Sequence, residues 1–391
     1  MQRMAGRVAS LGTTIFTEMT QLAQQYAAVN LGQGFPDFPA PEFLKAAAAR
    51  AVAADVNQYA PAHGRPRLRQ AIAAKWAETY ALNVNPDTEI TITHGATEAI
   101  CAAILGLINP GDEVILFEPF YDSYVPAIHF AGGVPRFYTL RPPDWRLDPA
   151  ALAALFNHKT RLLLLNTPHN PTGKVFDSAE LRLIADLCRQ HNIIALVDEV
   201  YEHIVFAGGQ HQPLAALPGM WERTITLSSL GKTFSVTGWK VGWAVAPAAL
   251  NQAVFRAHQF ITFCGAAPLQ EAAADALAWA QSNSYYADLT ALYTRKRDFL
   301  LGALTAAGLT PLPPQGTYFI MVDIARMGFR DDVAFCRALT TQIGVAAIPP
   351  SAFYHDSADG RGLARFAFCK SDATLDAAAE RLQRLPQIIP Q

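Results

Sequence analysis

Lys232 follows Gly231 directly in the stretch TITLSSLGKTFSVTGWKV (224–241), where a short β-rich run, Thr224 to Leu227, breaks into Ser228 and Ser229. A lysine just past the end of a buried strand is partly desolvated, which favours the neutral amine and makes it a nucleophile for a carbonyl. Alone, the stretch also reads as a solvated loop lysine. A phosphate-binding P-loop does not fit, because its first glycine would fall at Thr226. Other residues call for matching chemistry. Gly95-Ala96-Thr97 offers backbone N–H groups and a hydroxyl at a helix start, which suits either a phosphate or a plain N-cap. Asp198 closes IIALVD, and a buried carboxylate there is costly unless it meets a cation or a donor; a protonated pyridine nitrogen meets that need. Tyr201, three residues on, can donate to a phenolic oxygen. Asn170 can hold the same oxygen from the other side, although NTPHNPTG also reads as a pure turn. Tyr121, in EPFYDSY, can stack on an aromatic ring.

These residues sit at the ends of elements that recur regularly. From Glu89 onward, short apolar runs (EITIT, EVILF, RLLLLN, IIALVDE, TITLSS, VGWAVAP) alternate with helical segments, including GATEAICAAILGLI and 178–191. Strands alternating with helices predict an α/β fold, a parallel sheet covered on both faces, and ligands on such sheets collect at the carboxyl ends of the strands. Asn170, Asp198, Ser229, Lys232 and the Gly95 turn all fall at or just past such ends. A phosphate, a pyridinium, a phenolate and an aldehyde together describe pyridoxal phosphate. Upstream, residues 1–45 read as an irregular arm ending in LGQGFPDFPAPEF, where three prolines in six residues oppose regular structure. Its Gly32 and Gly34 do not make a dinucleotide fingerprint, since Asp37 stands where the third glycine belongs. Helices are expected over about 42–54 and up to Tyr80, flanking the loop that carries Tyr59, and later over 248–278 and 284–308. The tail (TYFIMVDI, a helix near 331–342, VAAIPP, RFAFCK, a last helix) reads as a smaller α+β unit.

The ordered set VNLGQGFPDF, NQYAP, THGATEAI, EPFYDSY, NTPHNPTGKVF, VDEVYEH, SSLGKTFSVTGWKVGW, QGTYFIMVD and RFAFCK resembles the fold-type I, class I aminotransferases, most closely the branch with methionine and kynurenine aminotransferases. The resemblance spans nearly the whole chain. It implies a large pyridoxal-phosphate-binding domain (46–285) with a mostly parallel, seven-stranded type of sheet flanked by helices. A small C-terminal domain (286–391) and an N-terminal arm that joins it (1–45) complete the expected fold. Position by position it implies Lys232 as the lysine that takes the cofactor aldehyde and shuttles the proton, and Asp198 as partner of the pyridine nitrogen. Tyr201 and Asn170 become donors to the ring oxygen, and Tyr121 the stacking aromatic. Ala96, Thr97, Ser229 and Lys240 fall on phosphate-binding positions, with Lys240 replacing an arginine of many relatives and so lacking its fork. Arg365 matches the clamp on the substrate α-carboxylate, Gly34 the backbone beside it, and Tyr59 the residue that reaches the phosphate of a neighbouring subunit in a homodimer with shared sites. The implied reaction moves the amino group of a large uncharged amino acid to a 2-oxo acid, with Phe16, Phe35, Tyr59 and Phe353 expected around the side chain. Cysteine-conjugate β-elimination on the same scaffold remains an alternative. So does a non-catalytic sensor, although no basic helix-turn-helix pattern accompanies it.

Composition allows a large core and argues against several other classes. The 391 residues are 51% hydrophobic and 16% charged, with formal charge -2, and no cationic run marks nucleic acid or a membrane surface. The five cysteines lack CxxC spacing, and MQRMAGRVASLGTTIF lacks a signal-peptide core, so a cytoplasmic protein is expected. Cys264, His169 and His258 are expected to be structural, since no metal-binding spacing includes them.

Overall fold

In a computed structural model, residues 4–389 other than Ser10 and Gly208 are described. Twelve strands occur among them: β1 (Val29–Asn30), β2 (Ile90–His94), β3 (Glu113–Glu118), β4 (Val134–Thr139), β5 (Thr160–Asn166), β6 (Ile194–Asp198), β7 (Thr224–Ser229), β8 (Val241–Val245), β9 (Thr310–Leu312), β10 (Phe319–Asp323), β11 (Val345–Ala346) and β12 (Leu363–Ala367). Seven of them form one sheet in the order β2-β8-β7-β6-β5-β3-β4. All run parallel except β8, which is antiparallel to both β2 and β7.

The continuous apolar runs are explained by burial on both faces. Leu162 and Leu164 of β5 pack with Ile100 and Ile104 of the helix Gly95–Leu107 and with Val254. Leu163 and Leu165, pointing the other way, pack with Leu181, Ile184 and Cys188 of the helix Ser178–Gln190. Strands buried on both sides lose the polar–apolar alternation of a half-exposed sheet.

A three-stranded antiparallel sheet, β12-β10-β9, stands beside this one, and β1 pairs in parallel with β11. The chain's beginning is thereby joined to its end. The expectation of an irregular arm needs correction here: Ile15–Gln25 is a helix, capped by Thr14, whose hydroxyl accepts from the Thr17 N–H. Its buried Met19, with Ile15, Phe16 and Leu22 beside it, forms one apolar stripe against the small-sheet core. The stretch after β1 is irregular, as its prolines require. The single helix expected over 248–278 is two, Ala248–Ile261 and Ala267–Gln281. Pro268 belongs only in a first helical turn, and Phe263 in the break takes a positive φ of 70°. No helix among the described residues is long and apolar enough to cross a membrane.

Candidate active site

The carboxyl edge of the large sheet opens into a cavity walled by polar and apolar side chains together, as a small-molecule site requires. Every residue expected to hold the cofactor lies on its wall except Tyr59. One end of the cavity is a cup. Gly95, at φ +75°, turns the chain from β2 into the helix Gly95–Leu107, leaving the Ala96 and Thr97 N–H groups in a first turn that has no carbonyl behind it to accept them. Because β8 is antiparallel, it begins at this same edge, so Lys240 sits directly against Gly95. A Cβ on Gly95 would lie 3.1 Å from the Lys240 Nζ. Lys240 itself is left-handed, at φ 54° and ψ 41°. Gly242 permits the approach, since a Cβ there would come within 2.5 Å of the Gly95 carbonyl carbon. Ser229, at the end of β7, completes the cup.

At the other end lies Asp198, buried at the end of β6. Its Oδ2 accepts from the Tyr124 hydroxyl at 2.8 Å and its Oδ1 from the Val200 N–H at 3.3 Å. Among the described residues it has no ion pair, and burial pushes its carboxyl above the usual range. A carboxylate held this way calls for a proton-bearing partner in the cavity. Tyr201 is buried and its hydroxyl pKa is raised, first by burial, so it stays a donor. Tyr121 lies on the wall edge-on to Tyr124, with ring centroids 5.6 Å apart. Asn166 joins the strand ends: its amide donates to the Asp198 carbonyl at 2.8 Å and its Oδ1 accepts the Asn170 N–H at 2.7 Å. Lys232 reaches between these groups from the short helix Leu230–Thr233. Its Nζ lies 5.5 Å from the Tyr201 ring centroid and 5.6 Å from that of Tyr318, and burial lowers its pKa to about 8.

Arg365, on β12, is 1% exposed. Its Nη1 donates to the Asn170 Oδ1 at 3.2 Å and its Nη2 to the Gly32 carbonyl at 2.9 Å, while Nε is buried with no partner. Phe319 lies 4.1 Å from the guanidinium carbon, Phe16 5.1 Å and Phe353 5.3 Å. Burial lowers its pKa to about 10, which still leaves it charged at neutral pH. Gly34 is close by through its carbonyl, which accepts the Tyr318 hydroxyl at 2.6 Å. Its lack of a side chain is required, since a Cβ would meet Phe319 at 2.6 Å.

Two expected pocket aromatics are not brought here. Phe35 is half exposed, with the Lys370 ammonium 4.7 Å over its ring, and Tyr59 is 81% exposed, edge-on to Phe263 at 5.4 Å. Tyr124, Asn166 and Phe319 are site residues that the sequence reading missed. The second tyrosine of EPFYDSY and the terminal asparagine of RLLLLN were the available signals.

A helix-start cup, a buried carboxylate without a cation, hydroxyl and amide donors, and a depressed lysine amine fit pyridoxal phosphate. The family described as aminotransferase class I and II matches residues 27–382. The chain is 47% identical to a methionine aminotransferase of Escherichia coli, with 97% of each chain covered. It is 42% identical to a kynurenine–oxoglutarate transaminase of Dictyostelium discoideum, over 97% of this chain and 95% of that one. The structure of an N-succinyldiaminopimelate aminotransferase from Mycobacterium tuberculosis superposes with a TM-score of 0.95 at 45% identity, covering 98% of this chain and 100% of that one. The chain belongs to the class I and II aminotransferases, the pyridoxal-phosphate-dependent transaminases of fold-type I.

Proposed function

We propose that this aminotransferase takes the amino group of a large uncharged amino acid, with methionine, phenylalanine and tyrosine foremost and glutamine, histidine and kynurenine in range, and passes it to a 2-oxo acid. The observation that carries this reading is the surroundings of Arg365. One buried guanidinium with an unpaired Nε is walled by Phe16, Phe319 and Phe353, which suits an α-carboxylate attached to an apolar side chain. The names of the Escherichia coli and Dictyostelium relatives point the same way.

Bound pyridoxal phosphate supplies a carbonyl carbon that takes the amino group and a ring that accepts electron density from the substrate α-carbon. Lys232 would anchor it, and the Lys232 amine would be the base that takes and gives back the substrate proton. Asp198, fixed by Tyr124, holds the proton on the ring nitrogen. Tyr201 and Asn170 donate to the ring oxygen, and Tyr121 covers one ring face. Ala96, Thr97, Ser229 and Lys240 hold the phosphate. Asn170 also fixes the Arg365 fork, with the Gly34 backbone beside the substrate carboxylate. The division into an arm (1–45), a large domain (46–285) and a small domain (286–391) is part of this reading.

The test is the visible absorption spectrum of the purified holoenzyme while single amino acids are added without a 2-oxo acid. Methionine or an aromatic amino acid converts the cofactor band to the pyridoxamine phosphate form, and aspartate does so far less readily. A preference for aspartate by orders of magnitude would overturn the donor assignment. Release of ammonia and pyruvate from a cysteine conjugate, without band conversion, would favour elimination instead.

A homodimer with shared sites belongs to the same proposal. Tyr59 on its loop, Phe260 (86% exposed) and Ile261 at the end of the helix Ala248–Ile261, and Phe263 just after it form an exposed apolar group, which a second copy would cover. Sedimentation at twice the chain mass is expected, and Phe260→Arg shifts it toward the single chain. A wild-type protein that sediments as one chain at micromolar concentration would remove this part. The five free thiols suit a cytoplasmic protein.

A further inference from the structure

We infer that Glu98 and His258 are positioning residues: they hold the phosphate cup in register with the loop that bears Tyr59. The inference rests on the cofactor reading above. Glu98 lies in the first turn of the helix Gly95–Leu107, and its Oε2 accepts the His94 N–H at 2.9 Å, closing the turn between β2 and that helix. His258, from the helix Ala248–Ile261, is 0% exposed. Its Nδ1 is 3.0 Å from each Glu98 oxygen, and its Nε2 is 3.0 Å from the Ala62 carbonyl.

Both ring nitrogens therefore face oxygen acceptors. The imidazole thereby bridges the Glu98 carboxylate and the Ala62 carbonyl. Ala62 belongs to a short stretch that is itself clamped. The His63 carbonyl accepts the Ile92 N–H of β2 at 3.0 Å, and the His63 ring stacks on Phe255, centroids 3.5 Å apart at 10°. Three distant passes of chain thus meet at one buried imidazole: the Tyr59 loop, the end of β2 with its helix, and the helix Ala248–Ile261.

The consequence for the cup is direct. With the His94 N–H taken by a side chain, the turn into the helix is fixed, and the free N–H groups of its first turn, those of Ala96 and Thr97 among them, are held on the cavity wall. Without His258, Glu98 would be a buried, uncompensated negative charge in the same helical turn as the cup, which a phosphate would meet as repulsion.

The experiment compares pyridoxal phosphate with pyridoxal, which lacks only the phosphate, and with inorganic phosphate, each titrated into the full-length ligand-free chain. His258→Leu is expected to lower the preference for pyridoxal phosphate over pyridoxal by at least about tenfold, with inorganic phosphate weakened in parallel. Glu98→Gln keeps every hydrogen bond with a neutral His258, because its amide oxygen accepts from His94 and its NH₂ donates to Nδ1. It should hold the preference within about threefold. The double variant Glu98→Gln/His258→Leu, free of the stranded charge, should recover most of the loss. If His258→Leu does not fold, Glu98→Ala, which frees the His94 N–H, must show the loss instead. Equal weakening of pyridoxal and pyridoxal phosphate would mean general damage and overturn the inference. So would a Glu98→Gln variant as impaired as His258→Leu. A wild-type chain with no preference for the phosphate-bearing ligand would overturn the cofactor reading itself.

Discussion

Lys232→Ala transaminates at least about 10⁴-fold more slowly than the unsubstituted chain while still taking up pyridoxal phosphate. The expectation follows from one amine serving two roles. Lys240 also lines the cavity, but it stands against Gly95 in the cup. The Lys232 amine sits between the rings of Tyr201 and Tyr318, where burial brings its pKa down to about 8 from 10.5. Lowering favours the neutral form, so the nucleophilic fraction grows as pH rises and levels off above about 8. Uptake of pyridoxal phosphate by the ligand-free wild-type chain should follow that curve, and the alanine variant's uptake should not. Single-turnover absorbance with methionine measures the loss. A variant that converts the cofactor band at a near-normal rate would take Lys232 out of the reaction. Phosphate and ring contacts are untouched by the substitution, so binding survives where chemistry does not.

Arg365→Leu is the second large effect, and it falls on substrate rather than cofactor. Removing one partner of a buried, hydrogen-bonded charge pair costs about 2–5 kcal/mol, so kcat/KM for methionine should fall by about 30- to 4,000-fold, mainly through KM. Leucine fills part of the space among Phe16, Phe319 and Phe353 and leaves cofactor uptake unchanged. Arg365→Lys should recover only part of the loss, because an ammonium cannot present two parallel N–H donors to a carboxylate. Steady-state kinetics with both variants decides it. An unchanged KM in Arg365→Leu would place the substrate carboxylate elsewhere.

The central strands were legible because β5 and β6 are buried on both faces and need unbroken apolar residues, an uncommon pattern outside a covered parallel sheet. Lys232 and Asp198 stood out because each falls at or just past a strand end, and Arg365 only through the family resemblance of RFAFCK. What escaped depends on neighbours distant in sequence. β4, an edge strand, is mostly half-buried and reads as loop. The helix Ile15–Gln25 exists because its stripe meets a core built from the other end of the chain. Tyr124 has its role only because the first turn after β3 aims its hydroxyl at Asp198 on β6. His258 read as a core histidine, and nothing in its local sequence indicates that Glu98 and Ala62 would converge on its two nitrogens.

The reversed direction of β8 bears on when, during synthesis, this protein can first accept its cofactor. The cup needs the turn at Gly95, the end of β7 at Ser229 and the mouth of β8 at Lys240, and Gly242 must be seated against Gly95 before they meet. A nascent or truncated chain that stops short of β8 has the parallel strands but nowhere to hold a phosphate. The cofactor can therefore stabilise only chains whose sheet has closed, by mass action worth about 4 kcal/mol when its free concentration is 1,000 times its Kd. In a cell, it would act as a late fastener that separates finished chains from unfinished ones.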